Sequence, residues 1–427
     1  MERDNRFYGW HVVTAAFVVA VFGWGLGFYG PPIYLEVVRQ THGWPVALVS
    51  GAVTLHFLVG LLIIPGLPFL HRRFGLPVVT FIAALCMASG VLGWALASTL
   101  LQLYAAALLT GAGWSALGAV AITDIVAPWF VTKRPLALGV AFNGGSVGGV
   151  IFSPLWVILI HRIGFIPSAL TVGTIMVIVL GALAVFVLGR SPQNLGQQPD
   201  GEPEETASGL INPIPATGSI AVRESLSRDR AFLTLCSGMT LALFAQTGVV
   251  AHLVSVLVPA LGTQGAGWAA GLSGLAAVIG RLLVGWRATG TSDWRVIASV
   301  SLAFQGGGCV VLALTGGSHI ALMVSGVVLF GFGVGNAISV PPVIANLEFS
   351  PKDTARVVAL IVAISQGAYA VAPALFGVLR QVGSDRIIFL AAAVVQGAAI
   401  AAYLAGRNRT KARVGGPLTE NKSLAIH

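Results

Sequence analysis

The sequence predicts an all-α membrane protein of twelve transmembrane helices, arranged as two parallel six-helix halves. Three observations predict it. The 427 residues are 56% hydrophobic and only 9% charged, with a mean hydropathy of +0.88, whereas ordinary soluble domains carry about a quarter charged residues. Twelve apolar runs are each long enough to cross roughly 30 Å of hydrocarbon, which takes about 20 residues. One long polar segment then divides six runs from six, and the two sides repeat in register.

The runs fall at 10–34, 45–69, 76–97, 101–125, 135–160, 166–189, 231–259, 266–287, 295–316, 319–345, 356–379 and 387–406. None alternates with period two, so helices are expected rather than the strands of an outer-membrane barrel. The opening MERDNRFYGWHVV lacks a cleavage-site pattern, so the first run is expected to stay as a helix that also targets the membrane.

Charge placement sets an orientation. With the N-terminus cytoplasmic, 19 of the 24 Lys and Arg fall in segments on that side. This predicts cytoplasmic termini in a cell inner membrane. The net charge of +9 is spread over short loops rather than along one face, so it points to lipid headgroups and topology, not to nucleic acid. Lys133 and Arg134 read first as such anchors.

Four regions follow: a bundle at 1–190, a cytoplasmic linker at 191–230, a second bundle at 231–406 and a cytoplasmic tail at 407–427. The linker, rich in Pro, Gly, Ser and charge, is expected to be mostly flexible. A displacement of 219 positions lays Phe130 on Phe349, Lys133 on Lys352, Ser146 on Ser365, Gly148 on Gly367 and Pro154 on Pro373. Both members of this repeat run the same way through the membrane. Parallel halves of this kind form transporters with a site between them near the midplane. Gly144 and Gly148, and Gly145 and Gly149, are spaced i, i+4, which suits a close helix seam. Pro154 is expected to bend the same helix.

Motifs of soluble catalysis lack their context. GLGFYG (25–30) and GGSVG (144–148) lie inside apolar runs, with no strand before them. Cys86, Cys236 and Cys309 sit singly, without metal spacing or a disulfide framework. No enzyme activity, cofactor or metal is expected.

Polar residues within the runs are the candidate site. Arg281 lies about 9 Å from the end of its run at 1.5 Å per residue. Such an arginine faces a cavity or a partner, or else snorkels to the interface. No intramembrane Asp or Glu is an obvious partner, so an anionic substrate would supply the charge; the guanidinium fork suits a carboxylate. His56 is read either as a substrate or proton carrier or as a neutral core histidine. Asn143, Gln246, His252, Asn336, Gln366 and Tyr369 are cavity groups or interhelical hydrogen bonds. Tyr29, Trp24 and Trp114 wall a pocket or fill core. Asp124 reads as a gating or a structural partner of Lys133 and Arg134.

Several stretches carry a family resemblance. WFVTKRPLALGVAFNGGSVGG (129–149), GRSPQNLGQQPDG before the linker, GRLLVGW around Arg281 and GFGVGNAISVPPV in the tenth run resemble the major facilitator superfamily. Within it they resemble the monocarboxylate transporter and oxalate:formate antiporter group. The resemblance implies alternating-access transport of small organic anions, as symporter or antiporter, and matches Arg281 to the arginine that reads substrate carboxylate. There are departures. PFLHRRFG (68–75) has Pro68 and Arg72 where the superfamily loop has Gly and Asp, and WRATGTSDWR (286–295) is also irregular. Ala277 replaces an Asp of many animal members. The lysines of the eleventh helix of oxalate carriers and of the first helix of animal members have no counterparts. Proton coupling is therefore not carried over.

The expected function is secondary transport of a small monocarboxylate-like anion by a monomer, with a proton or an exchanged anion as coupled partner. An exporter of a larger amphipathic compound and a non-transporting sensor or assembly protein are the alternatives.

Overall fold

The computed structural model describes residues 7–201, 226, 228–288, 292–315 and 319–407. Fifteen α-helices carry the chain through them. The first half holds α1 (Gly9–Gly27), α2 (Pro31–His42), α3 (Val46–Ile63), α4 (Leu67–Phe74), α5 (Leu76–Leu96), α6 (Leu100–Leu117), α7 (Ala119–Val126), α8 (Arg134–Ile163) and α9 (Phe165–Leu183). The second holds α10 (Arg230–Arg287), α11 (Trp294–Thr315), α12 (Ile320–Glu348), α13 (Pro351–Ala370), α14 (Ala372–Val382) and α15 (Asp385–Ala405).

Eleven helical stretches among the described residues are long and apolar enough to cross a membrane. One of them, α10, has 58 residues, about 87 Å if straight. It is broken at Gly262, whose φ of 67° and ψ of 170° no helix tolerates and glycine adopts without a Cβ penalty. Two crossings therefore lie within α10, and the total is twelve. Chain punctuation does the rest. Pro31, Pro77 and Pro135 sit in first turns, where a missing N–H costs nothing. The Thr99 side chain accepts from Gln102 N at 3.3 Å at the start of α6. Gly43 ends α2 at φ 67°.

Large apolar side chains face outward, Leu62 at 83% and Leu101 at 81% exposed. Alanines, glycines and valines fill the interior, where backbones approach closely. A Cβ on Gly144 would lie 2.2 Å from Phe17 O, and one on Gly148 2.4 Å from Val21 O. These glycines seat α8 on α1 inside the first half.

Three expectations change. The first span does not stop at 34. The helix breaks after Gly27, resumes at Pro31 and reaches His42, so Arg39 is helical rather than in a loop. Glu36, only 2% exposed, is satisfied there by Arg39 Nε and Nη2 at 3.1 and 2.9 Å and by Gln40 at 2.6 Å. The linker begins in order: Asp200 accepts from the backbone N–H of Val131, Thr132 and Lys133 at 3.0, 2.7 and 3.0 Å. Residues 202–225 and 408–427, which include most of the linker and the tail, lie outside the described residues. Third, Arg295, one of the basic residues counted on the cytoplasmic side, is not free to meet lipid: it is 2% exposed and held bidentately by Glu348.

Candidate functional site

Two seams join the halves. In the first, α8 runs against the second arm of α10. Added Cβ atoms on Gly267 and Gly271 would lie 2.6 Å from Val157 Cγ2 and 3.1 Å from Pro154 Cδ, and one on Gly274 3.3 Å from Val150 N. The next contact is Arg281. Its Nη1 donates to Asn143 Oδ1 and Ser146 Oγ, both at 3.2 Å. Its Nε and Nη2 both donate to Gly335 O of α12, at 3.2 and 3.1 Å. In the second seam, α3 meets α13 and α14. Ala47 N donates to Gln381 at 3.3 Å, and Ala374 N to Thr54 Oγ1 at 2.9 Å. The Phe57 and Tyr369 rings lie 5.8 Å apart, and Gln366 Nε2 reaches Gly60.

Both seams run inward from the end opposite the basic loops to at least mid-depth. Nearer the basic end the first seam opens: a Cβ on Gly139 of α8 or on Gly285 of α10 would meet nothing within 4 Å. Arg281 thus sits where the closed part of the first seam gives way to the open part.

The arginine is partly buried, and among the described residues no acidic group forms an ion pair with it. Its four hydrogen bonds all go to neutral oxygens. A cation held this way has geometry but no countercharge. The Tyr29 ring packs over Gly149, six positions along α8 from Asn143. An aromatic wall continues from there to the second seam: Phe28 lies 5.2 Å from Tyr29 and 6.2 Å from Phe57, and Trp24 lies 5.0 Å from Trp114 between ring centres.

The site therefore brings together Arg281, Asn143 and Tyr29, with Gln366 and Tyr369 across the aromatic wall. Other candidates lie elsewhere. His56 is fully buried; Nε2 donates to Gly27 O at 2.8 Å, which leaves Nδ1 to accept from Thr110 Oγ1 at 2.9 Å. It holds the freed carbonyl at the α1–α2 break. His252 Nε2 donates to Pro373 O, in the first turn of α14, at 3.0 Å. Asn336 donates to Ser301 at 3.2 Å inside the second half, and Gln246 is buried there too. An added Cβ on Gly145 or Gly149 would meet the Trp24 or Tyr29 ring inside the first half, while the Gly149 carbonyl carbon lies against Gly274 at the seam between the halves. Pro154 is on the seam, against Gly271. Asp124 pairs with His71 at 2.7 Å, not with Lys133 or Arg134. The α7 helix ends at Val126. The turn after it sends Arg134 back onto Phe130 O and Ala127 O at 2.8 and 3.1 Å, and Lys133 onto Asp200 O at 3.4 Å.

Sequence reasoning missed Ser146, Gly335 and Asp200 as partners. Ser146 carried a signal, being one turn from Asn143 and a member of the repeat. Gly335 acts through its carbonyl, which any residue has.

A family model, that of the Major Facilitator Superfamily, matches residues 15–346. The chain belongs to that superfamily. The fold of this facilitator is similar to a solved bacterial homologue of the human lysosomal transporter Spinster, described as inward-facing and occupied. The TM-score is 0.69 at 14% identity, covering 96% of this chain and 99% of that one. Among curated proteins, the facilitator is 27% identical to the MFS transporter asaE of Aspergillus flavus over 304 residues, 69% of this chain and 63% of that protein. It is 26% identical to monocarboxylate transporter 11 of Homo sapiens over 289 residues, 66% of this chain and 56% of that one. The facilitator thus spans less than two thirds of the length of these relatives.

Proposed function

We propose that this facilitator is a secondary transporter of a small organic monoanion, carrying a carboxylate on Arg281 by alternating access between its halves. The observation that carries the reading is the arginine itself. It is a strongly basic group held between the halves, and its donors are spent on neutral oxygens from both of them. A carboxylate displacing Asn143 and Ser146 would exchange neutral acceptors for charged ones, about twice as strong. It would also supply the missing countercharge without a fixed acid. The name of the human relative supports the substrate class for that protein and favours it here. The arrangement of basic loops supports a cytoplasmic membrane with both termini cytoplasmic, and an inward-open arrangement of the halves. A proton or an exchanged anion completes the cycle.

Binding tests the reading. The purified protein is heated in detergent with lactate, pyruvate, formate or acetate, beside Arg281→Gln. A ligand at 100 times its Kd stabilises by about 2.7 kcal/mol, and this shift is expected in wild type and absent from the variant. Equal shifts in both proteins, or none with any acid in a folded wild type, would contradict it.

A further inference from the structure

We infer that Gly139 and Gly285 form the contact that closes the basic end of the first seam in the alternate conformation. The inference rests on the alternating-access reading. Its basis is register. Contacts along the seam step from Val157 to Pro154 to Val150 to Asn143 on α8. They step in the opposite direction from Gly267 to Gly271 to Gly274 to Arg281 on α10. Each move is three or four residues, or two turns, and the moves match on both helices, as packed antiparallel helices require. The next step beyond Asn143 and Arg281 is Gly139 on one helix and Gly285 on the other.

Both residues are exposed, and neither has another atom within 4 Å of where a Cβ would stand. Neither has the positive φ that explains Gly43 and Gly262, which also face open space. Gly307 and Gly397 are open too, but on α11 and α15, which take no part in either seam. A glycine inside a helix costs about 0.5–1 kcal/mol relative to alanine. At Gly139 and Gly285 no turn or close approach in this conformation offsets that cost. On the closed side, the α10 glycines at the equivalent steps receive the Val157 and Pro154 side chains and the Val150 backbone of α8. Two facing glycines, with no side chain on either helix, leave the backbones free to approach closely. The halves then pivot about the level of Arg281, and the open glycine pair becomes the closed one.

The test is a cross-link between halves. Cys86→Ser, Cys236→Ala and Cys309→Ala give a thiol-free background, and a protease site is inserted between residues 201 and 226. Gly139→Cys with Gly285→Cys is compared with Gly139→Cys with Leu283→Cys, on the opposite face of the same turn. Both are oxidised in proteoliposomes and cleaved, and the halves are separated by electrophoresis. The in-register pair is expected to link at least ten times faster and to block anion flux until reduced. Gly139→Leu has room for its side chain here, so it is expected to fold, keep the acid-induced thermal shift and lose flux at least tenfold. Flux that persists while the in-register pair links no faster than the other, or in Gly139→Leu, overturns the closure and leaves the transport reading standing. In-register linking in a protein that moves no anion supports the closure and removes the transport reading.

Discussion

The Arg295–Glu348 clasp gives the sharpest stability prediction. Arg295 uses all five of its N–H donors. Nε and Nη2 hold Glu348 at 2.7 and 2.8 Å, Nη2 also reaches Ala231 O at 3.0 Å, and Nη1 reaches Thr234 Oγ1 and Tyr403 O at 3.1 and 3.3 Å. One side chain thereby ties α10, α11, α12 and α15 together at the basic end. Arg295→Met leaves the Glu348 carboxylate, a hydroxyl and two carbonyls without this donor. Breaking a buried pair costs about 3–5 kcal/mol. Glu348 keeps 29% of its side-chain surface, so water recovers part of the loss and about 3 kcal/mol is expected. The double variant Arg295→Met with Glu348→Leu removes both charges and is expected to cost about 1 kcal/mol or less, since an apolar replacement of a buried pair is often neutral. Denaturation in detergent, read by loss of helical circular dichroism, ranks wild type, Arg295→Met, Glu348→Leu and the double variant. If the double variant loses as much as the two single variants combined, the pair is not coupled and the reasoning fails.

Two further outcomes are expected. Asn143→Leu removes one neutral acceptor from Arg281 and should cost about 1 kcal/mol of stability, while the acid-induced thermal shift survives; melting curves with and without pyruvate measure both. Burial works to raise the Asp200 pKa, but the backbone amides of Lys133, Thr132 and Val131 and the Lys133 charge hold it below the ordinary carboxylate value. Its stabilisation is therefore full above the ordinary aspartate pKa of about 3.9 and is lost as pH falls through the lower folded value. Asp200→Asn should speed amide hydrogen exchange in 129–137 at neutral pH by roughly 5- to 30-fold, equivalent to about 1–2 kcal/mol.

Much of the bundle was legible because a bilayer leaves few options. Each crossing needs an apolar run of fixed length, and such runs are visible one by one. Arg281 was legible for the same reason, since a charge deep in such a run stands out. Its partners were not, because Asn143 and Ser146 lie on a helix more than 130 positions away and only packing brings them near. Nearness in sequence misled for Asp124. Lys133 and Arg134 follow it closely, yet the turn after α7 carries them away and His71 takes the site. Composition misled for Arg295, since a loop-end arginine that anchors to lipid and one that clasps four helices read alike. Glu36 was missed because it lay beyond the first run, ended at 34, although its partners three and four residues on keep the helix intact.

The most direct measurement of the central claim is uptake of labelled pyruvate, lactate, formate and acetate into proteoliposomes, with wild type and Arg281→Gln side by side, with and without a pH gradient. The account predicts saturable uptake of at least one acid in wild type and a loss in the variant. At an effective dielectric of about 20, a charge pair at 4 Å is worth about 4 kcal/mol. Discounted for partial exposure, that is about 2–3 kcal/mol, or roughly 30- to 150-fold in kcat/KM. Uptake at the same rate in both proteins would contradict carboxylate recognition by Arg281.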